Sequence, residues 1–286
     1  MPIHDQGYRR YTGWRAPRGQ AWSVITRAGL RTMLAKRTFL GLLLLAWGPF
    51  VVRAVTIYAA YGAAANIPQA SFFKPTPETF RGLLGPDGFE GLLIFIITVY
   101  VGSGLIANDR RANALQIYLS KPLSRTEYIF GKLAILMTFL LLITWVPAIL
   151  LLVVQIAFAG NFTFFRANLF LFPAITIYAF IEATMVSFAM LALSSLSKST
   201  RYVAVMYSAV LFFTSAIYGV LYAVTRSSSV SWISPSANLE QVGNIIFRMP
   251  AKYETPWPVS LLVIAIIIGV SALVLERRVR GVEVVA

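Results

Sequence analysis

The chain has 286 residues, of which 58% are hydrophobic and only 13% are charged, and its formal net charge is +14. A soluble domain usually carries about 25% charged residues, so this composition excludes both a water-soluble fold and a disordered chain. A positive balance is typical of nucleic-acid binding in soluble proteins, but in a membrane protein it reflects topology, and we expect no nucleic-acid partner. Cysteine is absent, which excludes disulfides, a thiol nucleophile and a cysteine-ligated metal site.

Six apolar segments are each long enough to cross a bilayer core of about 30 Å as a helix. They are predicted at 39–61, 89–107, 133–159, 169–193, 203–224 and 257–275. We therefore predict an all-α integral membrane protein whose six-helix transmembrane domain occupies 39–275. Segment 1–38 is then a basic tail with an elbow helix, 108–132 is a hairpin between the second and third spans, and 276–286 is a short tail.

The distribution of lysine and arginine predicts which side of the membrane each loop faces. Eighteen of these residues flank the spans on the side that holds both termini, and six lie in the opposite loops. Because loops rich in lysine and arginine stay in the cytoplasm, we expect both termini to be cytoplasmic. The expected location is the inner or plasma membrane of a bacterium, which the chain crosses several times.

The basic segment before the first span is predicted to contain an amphipathic elbow helix. Trp22 and Ile25 begin an apolar stripe at helical spacing, and Arg27 and Arg31 lie on the opposite face. Such a helix can lie on the headgroups of anionic membrane lipid. It can also contact a cytoplasmic partner, and the two interpretations are compatible.

Two loops on the outer side are too long to be simple turns. In the first, Thr76 followed by Pro77 is typical of a helix N-cap and its first helical residue, and a short helix through Leu84 is expected. In the last, Asn238 and Gln241 have the spacing of a capping box. The apolar residues that follow are too few to span, so a re-entrant or interfacial helix is predicted before the last span.

The connection between the second and third spans has helix signals on both sides. Helical spacing of apolar residues continues beyond the second span as far as Leu119, and Pro122 then ends that helix. Ser124 and Glu127 form a capping box, so a new helix is predicted to start at Arg125 and run into the third span. The product is a stiff helical hairpin, which is either a passive connection or a lever on which a soluble partner pushes.

The residues of this hairpin carry a family resemblance. An acid–arginine pair, Asp109-Arg110, precedes the run YLSKPLSR at 118–125, and Gly131-Lys132 closes the pattern. This pattern resembles the cytoplasmic connection of ATP-binding-cassette (ABC) permeases of the type-2 exporter class. One departure is Ile117, which stands where the family has leucine and keeps the position apolar.

The resemblance implies a permease subunit that forms a homodimer docked on two copies of an ABC ATPase subunit. ATP and magnesium are then bound by that partner, and this chain is expected to have no cofactor of its own. The residues that the resemblance assigns to the ATPase interface are Arg110, Arg111, Gln116, Leu119, Ser120, Lys121, Pro122, Leu123, Ser124 and Arg125. The elbow helix is expected to contact the same surface, and substrate is expected to move outward along the dimer interface.

The chain lacks the motifs of common enzymes. No G-x-x-x-x-G-K-[ST] phosphate loop is present, because Gly131 and Lys132 are followed by Leu133. No H-E-x-x-H motif exists, and the single histidine is His4 in the polar tail, so no metal ligand or catalytic residue is predicted. We expect a non-catalytic membrane subunit, with ATP hydrolysis on a partner.

Three polar residues are predicted to lie within the spans. Glu182 is placed near the bilayer midplane, where a charge is costly and often functional. It can contact substrate, act as a protonatable group, pair with a basic residue of another helix, or be a protonated structural residue that hydrogen-bonds to a neighbouring helix. Arg53 lies nearer the outer side of the first span, so a pair with Glu182 needs helix tilt or a bridging water. Gln155 in the third span has the same ambiguity.

The leading hypothesis is the permease subunit of an ATP-driven exporter whose substrate is hydrophobic or amphiphilic. The main alternative is a stand-alone secondary transporter or channel, although such proteins often show internal repeats and several buried charges. A membrane anchor for a soluble complex is the third possibility. The three hypotheses differ in whether substrate is moved and in whether a second subunit drives that movement.

Overall fold

The computed structural model describes residues 20–61, 75–114, 124–160 and 162–279, and within these ranges the chain forms helices and no strand. The α-helices are α1 (Ala21–Leu34), α2 (Arg37–Ala46), α3 (Gly48–Tyr61), α4 (Pro77–Arg81), α5 (Gly88–Gly102), α6 (Ala107–Arg111), α7 (Arg125–Ile143), α8 (Trp145–Ala159), α9 (Thr163–Ala167), α10 (Leu171–Leu196), α11 (Thr200–Thr225), α12 (Pro235–Ile246) and α13 (Trp257–Arg278). A 3-10 helix at Ser228–Ile233 precedes α12.

The described residues contain six helical segments long and apolar enough to cross a membrane. From the first to the sixth span they are Arg37–Tyr61, Gly88–Arg111, Arg125–Ala159, Leu171–Leu196, Thr200–Thr225 and Trp257–Arg278. The prediction of an all-α membrane protein with six spanning helices is therefore confirmed. The third span begins at Arg125, so its first two turns come from the part of the sequence that we assigned to the hairpin.

Two of the spans are broken next to proline residues. In the first span the break separates α2 from α3, and Pro49 lies in the first turn of α3. In the third span the break separates α7 from α8, and Pro147 lies in the first turn of α8. Proline has no N–H to donate and its ring clashes with the turn before it, so a regular helix ends at these points.

The fourth span, α10, is the centre of the bundle. It packs against α5, α7, α8, α11 and α13, and its side chains Tyr178 and Met190 are completely buried. Gly102 allows α5 to approach α10, because a Cβ at this position would collide with the side chain of Met190. The fifth span instead exposes apolar side chains such as Val205 and Phe213, as expected for a helix that faces lipid.

We call the end of the bundle that carries α4 and α12 the outer end. There α12 starts at Pro235, and the N-cap Ser234 accepts a hydrogen bond from the backbone N–H of Ala237 at 3.4 Å. The prediction of a cap at Asn238 is wrong, because Pro235 fits the first helical position and leaves Asn238 inside the helix. Asn238 Nδ2 instead donates to the carbonyl oxygens of Trp232 and Ser234, both at 2.8 Å.

Both helices of the outer end are tied into the bundle. α12 packs against α10 and α13, and most of its residues are buried although it is too short to span. α4 follows a capping box between Thr76 and Thr79, with Pro77 as its first residue. It ends at Arg81, before Leu84, which we expected it to reach. The chain from Arg81 to Leu84 turns instead, and the side chain of Leu84 is fully buried.

Candidate functional site

The second span breaks where it approaches the end of the bundle opposite the outer end. α5 ends at Gly102 and α6 begins at Ala107, which leaves backbone groups of the intervening turn without a partner in the helix. Ser194 of α10 supplies that partner: its Oγ accepts from the backbone N–H groups of Ile106 and Ala107, both at 3.1 Å, and donates to the carbonyl oxygen of Ser103 at 2.9 Å. A hydroxyl group of one span therefore holds the bend of another.

The predicted unbroken helix from the second span into the hairpin is wrong. The bend at 103–106 interrupts it first, and α6 then ends at Arg111. Asn113 follows with a φ of 52°, a left-handed conformation that stops a right-handed helix. Six residues assigned to the ATPase interface lie outside the described residues, namely Gln116, Leu119, Ser120, Lys121, Pro122 and Leu123.

The far side of the hairpin has the predicted capping box. Ser124 Oγ accepts from the backbone N–H of Glu127 at 3.2 Å, and the Ser124 backbone N–H donates to Glu127 Oε2 at 3.0 Å. The other carboxylate oxygen of Glu127 accepts from the backbone N–H of Ala21 at 3.3 Å, at the start of α1. One side chain thus caps α7 and also fixes the elbow helix to it, while Arg125 stays exposed.

The residues at the two ends of the family pattern, Asp109 and Lys132, form an ion pair. Asp109 Oδ2 accepts from Lys132 Nζ and from Tyr128 Oη, each at 2.7 Å, so the acid of α6 binds two side chains of α7. The side chains of Lys132 and Asp109 are only 14% and 17% exposed. Partly buried pairs are screened less than surface pairs, so this contact stabilises the base of the hairpin.

Two neighbours of Asp109 bind the fourth and fifth spans at this end. Arg110 Nη1 donates to the carbonyl oxygen of Ser195, at the end of α10. Asn108 Oδ1 accepts from Thr200 Oγ1 at 3.1 Å, at the start of α11. We call α6 with these contacts to α7, α10 and α11 the α6 junction. Arg111, also assigned to the interface, is exposed beside it.

The elbow helix α1 lies along the first turns of α7. Thr26 Oγ1 donates to the carbonyl oxygen of Gly131 at 3.1 Å. A Cβ at Gly131 would lie 2.9 Å from Ile25 Cβ and 3.0 Å from the Trp22 carbonyl oxygen, so glycine is what permits this close packing. Ile25 therefore contacts α7, as an apolar stripe should, whereas Trp22, Arg27 and Arg31 are exposed.

The polar residues within the spans have different partners from those considered in the sequence. Arg53 pairs with Glu90 of α5, with Nη2 and Oε1 2.7 Å apart, and not with Glu182. Gln155 Nε2 donates to the hydroxyl of Tyr61 at 2.9 Å. Glu182 is 3% exposed, and its Oε2 has no hydrogen-bond partner among the described residues.

A second polar cluster lies at the outer end. Glu240 of α12 accepts from Lys252 Nζ and from Tyr253 Oη, each at 2.5 Å. Asp87, at the start of α5, lies beside it, and partial burial together with a hydrogen bond to the Glu240 carboxylate raises the pKa of Asp87 to about 6. Arg81 is buried with its guanidinium 4.8 Å from the centre of the Tyr178 ring.

Sequence reasoning missed this cluster because Arg81 and Lys252 look like ordinary loop charges until the chain folds. The sequence gives only a weak indication of the cluster: Arg81 lies in the short helix predicted through Leu84, and Glu240 lies in the segment predicted to be re-entrant or interfacial. Within the described residues, no three histidine, aspartate or glutamate side chains lie close enough to hold a metal ion.

The comparison with protein families agrees with this architecture. A family model described as ABC-2 family transporter protein matches residues 51–280. The match covers well over half of the chain, so the chain belongs to this family and is the membrane permease of an ABC transporter. Permeases of this family are normally non-catalytic and associate with an ABC ATPase. A search of curated proteins found no match.

Proposed function

We propose that this permease exports a hydrophobic or amphiphilic substrate, and that ATP hydrolysis on a separate ABC ATPase subunit drives the export. Two permease copies and two ATPase copies form the working unit. The ATPase docks on the elbow helix and on the hairpin tip, which the sequence predicts at 120–123, on the side of the membrane where most of the lysine and arginine residues of the sequence are expected. Family membership supports the class of protein, and the contacts of the hairpin base support the way it is driven.

The observation that carries the proposal is the α6 junction. The base of the hairpin is bonded to α7 through Asp109, to α10 through Arg110 and to α11 through Asn108. A force applied to the hairpin tip therefore reaches three spans at once. A passive connection needs none of these contacts, because a polar loop on a membrane surface can bind water.

The elbow helix supports the same mechanism from the other side of α7. Its backbone is bonded to Glu127 and its Thr26 to the carbonyl of Gly131. Because α1 and the first turns of α7 are joined in this way, they can move as one body. A partner that contacts both the elbow helix and the hairpin tip can then move the third span from two positions.

The charge distribution supports the direction of docking. By sequence, eighteen lysine and arginine residues flank the spans on the side of the hairpin and six lie in the opposite loops. Positive charge of this kind retains loops in the cytoplasm, where ATP is available. Both termini then lie in the cytoplasm as well, and the path from the α6 junction to the outer end is the direction of export.

The test is purification of the tagged permease from membranes of its host, followed by assays of bound ATPase and of transport. The permease alone is expected to hydrolyse no ATP and the complex to hydrolyse it. Charge reversal by Lys121→Glu and Arg125→Glu is expected to reduce the bound ATPase several-fold. Arg277→Glu is the matched control, because it reverses an exposed charge at the same end but away from the hairpin.

Other outcomes identify the alternatives. If both variants and a deletion of the tip leave assembly and transport intact, the coupling role of the hairpin is wrong. Transport by the permease alone in liposomes, driven by an ion gradient, indicates a secondary transporter. A permease that binds its ATPase but moves no substrate in any nucleotide state indicates a membrane anchor.

A further inference from the structure

A partly enclosed cavity of about 390 Å³ lies between α5, α10, α11 and α12. This volume is in the range of sites that hold small organic molecules. The buried carboxylate of Glu182 lines it, together with the aromatic side chains of Phe95, Tyr207 and Phe212. None of the contacts described for the α6 junction uses this cavity, which lies toward the outer end of the bundle.

The carboxylate in this cavity is not satisfied by the protein. Glu182 is 3% exposed, and its Oε2 has no hydrogen-bond partner among the described residues. Removing an ionised carboxylate from water costs several kcal/mol unless a cation or a set of donors compensates it. Glu182 therefore lines a cavity large enough for a ligand and carries a carboxylate oxygen that no described residue bonds.

Both cations near Glu182 are engaged with other groups. Lys252 is already bonded to Glu240, and Arg81 donates to the carbonyl oxygen of Leu84, so neither cation is bonded to Glu182. A cation bound in the cavity would give this carboxylate an ionic partner that the described residues do not supply.

The aromatic side chains give the cavity a second chemical character. Phe95 stacks on Tyr207 with ring centres 5.9 Å apart, and it meets Phe212 edge to face at 5.6 Å. Aromatic faces attract organic cations and also bury apolar groups. Leu92 and Phe212 at the mouth are 48% and 63% exposed, so the approach to the cavity is apolar.

We propose that this cavity binds a monovalent organic cation with an apolar body, with Glu182 as its counter-ion and Phe95, Tyr207 and Phe212 as its aromatic contacts. The proposal rests on the proposed function, because it names the substrate class of the exporter. The apolar mouth admits such a molecule from the membrane, and the carboxylate holds its charge. The described residues that line the cavity include the carboxyl groups of Glu182 and Asp87 and no lysine or arginine, so an anion has no cationic partner there.

The test is equilibrium binding of tetraphenylphosphonium to the purified permease in lipid nanodiscs, with empty nanodiscs subtracted. Tetraphenylborate has nearly the same shape and the opposite charge, so it reports apolar partitioning alone. We expect saturable binding of one tetraphenylphosphonium per chain and no saturable binding of tetraphenylborate. Glu182→Gln is expected to raise the Kd at least about tenfold, as for the loss of a charge-assisted contact, and Phe95→Ala several-fold.

The matched control is Glu276→Gln, which removes an exposed carboxylate in the last turn of α13 and should leave the Kd unchanged. Size-exclusion profiles show whether each variant is folded, and Glu182→Asp should retain part of the affinity. Equal binding of the two ions, or an unchanged Kd in a folded Glu182→Gln variant, overturns the proposal. Because binding is measured without the ATPase, failure to find an ATPase partner contradicts the proposed function and leaves this site intact.

Discussion

At the scale of single residues, the family pattern has a physical explanation. Asp109 and Lys132 are distant in the pattern but form one ion pair, and Arg110 binds the carbonyl end of α10. Gly131 is required because α1 crosses α7 there with no room for a Cβ. The capping box at Ser124 was predictable because its two residues are only three positions apart in the sequence. The contacts of Asp109, Arg110 and Gly131 depend on how the helices pack, which the spacing of residues in the sequence does not show.

Gly131→Ala should loosen the elbow helix from the third span. The added Cβ would lie 2.9 Å from Ile25 Cβ and 3.0 Å from the Trp22 carbonyl oxygen, so backbone or side chains must shift. Overpacking of this kind costs about 1–3 kcal/mol, and the apparent Tm in detergent should fall. Gly41→Ala is the control, because a Cβ there meets nothing within 4 Å and should be neutral or stabilising. Equal Tm values for both variants would contradict the close packing of α1 on α7.

At the scale of helices, side chains from neighbouring spans decide where a helix bends or begins. The second span bends at 103–106 because Ser194 satisfies the free backbone groups there, and α12 begins at Pro235 rather than at the predicted cap. Helix periodicity predicted the existence of these elements. It did not predict the bend, since the partner hydroxyl lies in another span.

Ser194→Ala should destabilise the bend between α5 and α6. The change leaves the buried N–H groups of Ile106 and Ala107 without their acceptor, and such a loss costs about 1–3 kcal/mol. Ser208→Ala is the control, because its hydroxyl only donates to a carbonyl of its own helix at 2.8 Å, and we expect a change within about 0.5 kcal/mol. Thermal unfolding of the two variants in detergent measures the difference. If Ser194→Ala is as stable as Ser208→Ala, another group must hold the bend.

At the scale of the whole molecule, the fold followed from composition, while the sites needed the structure. Long, unbroken apolar segments cross a bilayer as helices, because a helix satisfies its own backbone hydrogen bonds where water is absent. Six spans and an all-α fold were therefore predictable. The Arg53–Glu90 pair, the cluster around Glu240 and the cavity beside Glu182 each join residues from different helices or loops. Their positions depend on how the helices pack around α10, and hydropathy carries no information on that packing.

The central claim is that an ATPase drives this permease through the hairpin, and the absence of cysteine allows a direct test by cross-linking. A Lys121→Cys variant in the hairpin tip is treated with a short thiol-specific cross-linker in the presence of the ATPase, and Ser229→Cys at the outer end is the control. We predict a covalent product with the ATPase for Lys121→Cys alone, with a yield that changes between ATP-bound and ADP-bound states. A tip that reacts freely with a water-soluble maleimide in every state, and forms no product with the ATPase, would contradict the account.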